Sequence, residues 1–370
     1  MRIGIFPVMA GRNAGGPETY EHSLIRQLAT VDETTEFHVF CFNRAAAESF
    51  RVDKSNWNFD ALGDSFRPWS MSVNLPIALV KNRIDLLHAT YMPPPISPVD
   101  YVFTLHCSSP FVQPQLYPPL VRWRIKALFA IGMRRARHIL CVSQDVLNLA
   151  ADYYKVSRDR MSVVYNGVGE HFKLVDESDR APILKRLGVS GRYILFTGRF
   201  EPRKNVVRIL EAFHAYRHET HNSEMKLVLA GNMTWAKAAV AETIHRLQLA
   251  KHVVLPGHVA NEDLPALYSG AEFFVFPSLW EGFGIPIVEA MACGTPVITS
   301  NVSSLPEIAG DAALLVDPYS VDAITDAMLR ISQDSNLCQS LRQRGFERAR
   351  QFSWRQNAQQ TLAVYRKLAS

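Results

Sequence analysis

No two cysteines in this 370-residue chain are spaced C-x-x-C; Cys41, Cys107, Cys141, Cys293 and Cys338 are scattered and odd in number. That argues against a disulfide framework or a structural zinc and for a reduced, cytoplasmic chain. No uninterrupted apolar run reaches the ~18 residues of a membrane span, and the start, "MRIGIFPVMAGRN", is too short in apolar residues for a secretory leader. No two aspartates lie two residues apart, so the D-x-D pattern that holds a divalent cation is missing. The dinucleotide fingerprint G-x-G-x-x-G is missing too, which disfavours a dehydrogenase. The charge balance is slight: a net +5 is too weak to imply a nucleic-acid partner. There is no tandem repeat and no low-complexity tract.

What is present is alternation. "RIGIFPV", "EFHVFCFN", "DLLHAT", "YVFTLHC" and "HILCVS" are short runs rich in β-branched and aromatic residues, and they predict strands. "PETYEHSLIRQLA" predicts an amphipathic helix opening at Pro17, and a further helix is expected from Val121 to Arg137. After "VVYNGVGEHF" the pattern restarts. "YILFTG", "KLVLAG", "HVVLPG", "FFVFPS", "PVITS" and "ALLVD" predict six strands. "NVVRILEAFHAYR", "WAKAAVAETIHRLQ", "DLPALYSGA" and "IVEAMAC" predict the helices between them. Strands alternating with helices imply parallel sheets covered on both faces. The expected class is α/β, with two Rossmann-like, doubly wound domains facing across a cleft. Their expected bounds are 1–172 and 173–350, joined near the polar stretch Gly167–Arg180, with a closing amphipathic helix over 351–370.

Ligands of open parallel sheets bind beyond the carboxyl ends of the strands, and three stretches there carry chemistry. The first is "EGFGIPIVEAMACG", where Glu281 and Glu289 are separated by seven residues. Gly282 and Gly284 permit close backbone approach and positive φ. Pro286 suits a helix start and Gly294 a helix stop. A helix N-terminus there offers unpaired N–H groups to a phosphate. Carboxylates accept from neutral hydroxyls, so Glu281 before the loop and Glu289 one turn into the helix suit two sugars flanking that phosphate. That combination describes a nucleotide sugar. The second stretch is "GRFEPRKN", whose Arg199 and Lys204 could neutralise a diphosphate in one cleft region. The third, "GRNAGGPETY", has Gly11, Gly15 and Gly16 as a phosphate-approach turn.

These stretches, with "TLHCSSP", "CVSQDV", "VVYNGV" and the closing "FSWRQNAQQTLAVYRKL", resemble the retaining glycosyltransferases of family 4, which have the GT-B architecture. The resemblance spans nearly the whole chain. It implies that His106 and Glu281 are the catalytic positions, with His106 beside the reacting carbon and Glu281 on the donor sugar's hydroxyls. It implies a ribose on Glu289, a diphosphate on Arg199 and Lys204, approach by the Gly15–Gly16 loop, and backbone contacts to the sugar at Phe283, Gly284 and Ile285. The last helix would cross back onto the N-terminal domain. One departure is Cys107, where many members have aspartate; adjacent strand residues point apart, so Cys107 reads as structural.

Resemblance to bacterial polysaccharide mannosyltransferases favours GDP-mannose over a UDP-sugar as donor, with no metal, and a glycan or lipid-linked acceptor. A sugar-nucleotide synthase, an epimerase, or a nucleotide-sugar-binding protein without turnover stay open as alternatives. No acidic residue lies between Asp100 and Asp145, while six cations do, from Arg122 to Arg137. That segment, 122–137, reads either as a peripheral contact with the inner face of the membrane or as a solvated face with a buried flank.

Overall fold

Seven strands form the first sheet: β1 (Arg2–Phe6), β2 (Glu36–Cys41), β3 (Trp57–Ala61), β4 (Leu86–Ala89), β5 (Tyr101–Leu105), β6 (His138–Cys141) and β7 (Met161–Val163). They pair in parallel in the order β3-β2-β1-β4-β5-β6-β7. Six more form the second: β8 (Tyr193–Thr197), β9 (Lys226–Ala230), β10 (Val253–Gly257), β11 (Phe273–Phe276), β12 (Val297–Ser300) and β13 (Ala313–Val316). Their order is β10-β9-β8-β11-β12-β13, again parallel. This computed structural model describes residues 1–12, 15–50, 52–63, 66–106, 112, 119–222, 224–233 and 237–369. The chain divides into two compact units, Met1–Gly167 with Ser353–Ser370, and Val168–Phe352.

The central strands form because they are apolar on both faces: every residue of β5, β8, β11 and β12 is buried. In each sheet the order reverses beside the first strand, at β1/β4 and at β8/β11. Connections leaving neighbouring strands to opposite sides open a crevice at such a switch point. The fold therefore brings the segments after β8 and β11 together in one unit, and those after β1 and β4 in the other.

The two faces of the first sheet can be told apart by register. Gly4 pairs with Leu87, and Leu87 with Tyr101. Strand side chains alternate, so Gly4, Leu87, Tyr101 and Phe103 share a face. Leu79 packs at Gly4, and Phe129 meets Phe103 edge-on, so the helices Leu75–Lys81 and Pro119–Arg135 cover that face. The opposite face carries His88 and Thr104, against Tyr365 of the helix Trp354–Ala369 and Tyr20 of the helix Gly16–Val31.

The structure differs from expectation in one connecting segment. The last four residues of the stretch read as linker, Gly167–Arg180, open the helix Glu177–Arg186. None of its residues is buried, so no apolar period announces it. Glu177 and Asp179 in its first turn and Lys185 and Arg186 in its last complement the helix dipole instead. The cysteines that are described, Cys41, Cys141, Cys293 and Cys338, are free thiols; Cys107 and the rest of "CSSP" lie outside the described residues.

Candidate active site

In the second unit the segment after β8 makes a 3-10 turn, Pro202–Lys204, and Asn205 follows with φ 64°. Asn205 Nδ2 donates to the carbonyls of Pro277 and Pro318, and the Leu279 amide donates to the Arg203 carbonyl at 2.7 Å. The β8 and β11 loops are thus tied backbone to backbone, which brings five charged side chains into one alternating array. Arg199 pairs with Glu201; Arg203 Nε meets Glu201 at 2.8 Å; Arg203 also meets Glu281 Oε2 at 2.8 Å; and Lys204 Nζ meets Glu281 Oε1 at 2.6 Å. Glu281 and Lys204 are buried, whereas Arg199 is half-exposed.

Electrostatics fixes the charge state. Burial alone would raise the Glu281 carboxyl, but Arg203 and then Lys204 outweigh it and hold it below the usual range. Burial likewise lowers the Lys204 ammonium, against the pull of Glu281. The pair is ionised, because Glu281 has two cations within ion-pair distance and Lys204 Nζ also lies 4.5 Å from the centre of the Phe276 ring. The Glu281 backbone is pinned from the β12 side: its amide donates to Ser303 Oγ and its carbonyl accepts from Ser304 Oγ, both at 3.0 Å.

The loop then turns through Gly284, with φ 92°, into the helix Ile285–Ala292, so Pro286 occupies the second helical position rather than the first. Phe283 and Ile285 are buried, Phe283 edge-on to Phe352. Gly294, at φ 74°, follows the helix end as expected. Glu289 is buried and accepts from Tyr268 Oη at 2.9 Å. Burial pushes its carboxyl up to about 7, only partly offset by the Tyr268 hydrogen bond.

The first unit supplies the other predicted residues. Gly15, at φ 70°, caps the helix that begins at Gly16. Glu18 folds back to accept from the amides of Gly11 and Arg12. His106 follows β5; its Nε2 donates to the Thr90 carbonyl at 2.9 Å, and its ring lies edge-on to Tyr20, centroids 4.4 Å apart. A carbonyl only accepts, so Nε2 carries the proton. Burial lowers the imidazole to about 4, leaving it neutral at neutral pH. Beneath it, Thr90 Oγ1 contacts the buried Glu21 at 2.6 Å.

Each unit gathers its own share of the predicted residues, with differences in detail. Arg199 and Lys204 are not two free cations side by side: Lys204 is locked on Glu281, and Arg199 joins through Glu201. Arg203, which links the two carboxylates, was not singled out in the sequence; the alternation of signs in "RFEPRK" is the signal that marks it. Ser303 and Ser304 were missed because a serine pair in a loop has no distinguishing pattern.

Two doubly wound sheets with a buried, cation-bracketed glutamate on a strand-to-helix loop suit a glycosyltransferase, and comparison with known proteins shows that class. Residues 14–171 match the model of Glycosyltransferase Family 4, and residues 183–348 that of Glycosyl transferases group 1. The O-antigen chain mannosyltransferase B of Escherichia coli is 35% identical over 72% of this chain and 70% of its own length. The serotype-specific mannosyltransferase WbdA of Escherichia coli is 30% identical over 63% of this chain, which spans 29% of that relative's length. Among solved structures, Anabaena HepE in complex with UDP and glucose superposes with a TM-score of 0.81 at 18% identity, covering 99% of this chain and 100% of that one. The chain belongs to the family-4 glycosyltransferases, and its fold is the two-sheet GT-B fold.

Proposed function

We propose that the protein is a retaining mannosyltransferase that moves mannose from GDP-mannose to a glycan or lipid-linked acceptor in polysaccharide synthesis. The observation that carries the reading is Glu281, a buried ionised carboxylate held between Arg203 and Lys204 at the switch point of the second sheet. Such a group is preorganised to accept hydroxyls without moving. Mannose rests on the relatives at 30–35% identity, whose names are those of mannosyltransferases.

In this reading Glu281 holds the mannose hydroxyls, helped by the backbone at Phe283, Gly284 and Ile285, and Glu289 accepts from the ribose. Arg199 and Lys204, with the start of the helix Ile285–Ala292 and the Gly15–Gly16 loop, carry the diphosphate. Positive side chains and backbone N–H groups do the work of a divalent cation, so transfer proceeds without metal. Attack comes from the face the diphosphate leaves. The bond from the anomeric carbon to the diphosphate breaks, the acceptor oxygen bonds to that carbon, and the acceptor's proton passes to a diphosphate oxygen. His106, neutral and anchored on Thr90, positions the donor. The protein works in the cytoplasm, with the basic segment 122–137 as a peripheral contact to the inner face of the membrane; among the described residues no helix is long and apolar enough to cross one.

Paired substitutions test these roles. Glu281→Gln is expected to cut transfer from GDP-mannose while leaving GDP affinity, read by calorimetry, near wild type. Glu289→Gln is expected to weaken GDP itself. The reverse pattern contradicts the assignment, as does a large loss of activity in EDTA that magnesium restores.

A further inference from the structure

One helical rod in the first unit has two apolar faces, and the fold covers only one of them. The stretches Arg67–Trp69, the π-helical turn Ser70–Asn74 and Leu75–Lys81 follow one another without a break. Met71, Leu75 and Leu79 are buried against the sheet. On the other side Phe66, Trp69, Ile77 and Val80 are 78%, 58%, 61% and 63% exposed. Trp69, Ile77 and Val80 are spaced eight and three residues apart, close to whole turns, so they form one outward stripe, and Phe66 is the residue just before the first turn. Isolated exposed apolar residues are ordinary, but an aligned row that includes Phe and Trp marks an interaction surface.

Charge identifies the partner. From residue 65 to residue 84 the chain has no acidic residue, while Arg67, Lys81 and Arg83 are cationic. Arg67 leans over the Phe42 ring at 4.6 Å, and Lys81 and Arg83 are exposed beyond the end of the stripe. The sheet register places this rod on the same face as the basic helix Pro119–Arg135, where Trp123 is 68% exposed and Ile131 48%. Of the sixteen large apolar side chains exposed among the described residues, nine lie between Phe66 and Ile131, the stretch that supplies both helices. Six of those nine lie on the two helical segments themselves: Trp69, Ile77, Val80, Leu120, Trp123 and Ile131. A two-fold contact between copies of this chain would set like charges against each other, since this stretch offers no acid to pair with them. Amphipathic aromatic and aliphatic residues rimmed by cations match the boundary of an anionic bilayer.

We propose that the stripe Phe66, Trp69, Ile77 and Val80 seats in an anionic lipid surface, with Lys81 and Arg83 among the headgroups. The inference goes beyond the basic segment 122–137 and does not depend on which sugar is transferred. If it fails, transfer to a soluble acceptor is untouched; if the donor assignment fails, the stripe can still bind lipid.

Flotation of the full chain with phosphatidylglycerol vesicles, against phosphatidylcholine vesicles, tests it. The wild type is expected to float with the anionic vesicles, and Trp69→Ser combined with Val80→Ser to lower the partition constant about tenfold. Because these side chains are exposed, transfer to a water-soluble acceptor should be unchanged in that variant, which shows that it is folded. Brominated phosphatidylglycerol should quench a fluorescence component that Trp69→Phe removes. Three results overturn the proposal: no preference for anionic vesicles, equal flotation of the double variant, or a wild-type dimer that the double variant dissociates, which would assign the stripe to a second copy.

Discussion

Glu21 is a buried carboxyl with no ion-pair partner among the described residues. Both of its oxygens accept from the Met9 amide, and Thr90 Oγ1 lies 2.6 Å from one of them while also 3.0 Å from the Phe6 carbonyl. The Thr90 hydroxyl thus has two acceptors, the Phe6 carbonyl and the Glu21 carboxyl, for its one proton, so Glu21 receives only a shared hydrogen bond from it. Burial raises the carboxyl to about 8 against the hydrogen bonds from Thr90 and the backbone. A raised folded-state value gives stability that is complete below the unfolded value of 4.5 and is lost as pH rises through about 8. We expect the unfolding free energy of the wild type, from urea titrations, to fall over that window by about 5 kcal/mol at most, and Glu21→Gln to flatten the fall. An equally steep fall in the variant would place the titrating group elsewhere. In the other unit Arg203 and Arg199 separate by the same kind of argument. Arg203→Ala leaves the buried Glu281 with Lys204 alone and is expected to cost about 3–5 kcal/mol of stability. Arg199→Ala, at a half-exposed pair, is expected to cost under about 1 kcal/mol but to weaken GDP roughly ten- to a hundredfold. Denaturation and calorimetry on the two variants read the contrast, and similar effects in both would count against it.

At the scale of elements, Gly284 turns the β11 loop into its helix. At φ 92° an L side chain is strained, and an added Cβ would meet Leu305 Cδ2 at 2.7 Å. The leucine tip can shift, so the backbone decides: Gly284→Ala is expected to cost about 1–3 kcal/mol, seen as a lower melting temperature. No shift in melting would mean the turn is not held. This loop was legible in the sequence because glycine, proline and the flanking strand each constrain it. All six strands of the second sheet were legible as well, as short apolar runs, although only the central ones are buried on both faces: β10 has no buried residue and β13 is partly exposed. The edge strands β3 and β7 were not singled out: β3 mixes buried and exposed residues and β7 has three residues. The helix Glu177–Arg186 escaped because it buries nothing. The helices Val321–Gln333 and Ser335–Ala349 were not singled out either, though the first buries Ile324, Ala327, Met328 and Ile331 at helical spacing. Within the site the glutamates could be read from spacing, whereas the Arg203–Glu281 pair could not, because it joins residues 78 apart through a sheet order that no local pattern states.

For the molecule as a whole, each unit holds some of the residues with a proposed role: the Glu281 array in one, the neutral His106 over Thr90 in the other. A neutral, anchored imidazole suits positioning better than proton abstraction, so His106→Ala is expected to lower turnover strongly without changing stereochemistry. The stereochemistry itself tests the central claim most directly. The product formed from GDP-α-mannose, examined by NMR at its new anomeric centre, is predicted to be α-linked. A β-linked product would contradict retention, and with it the roles assigned to Glu281 and His106.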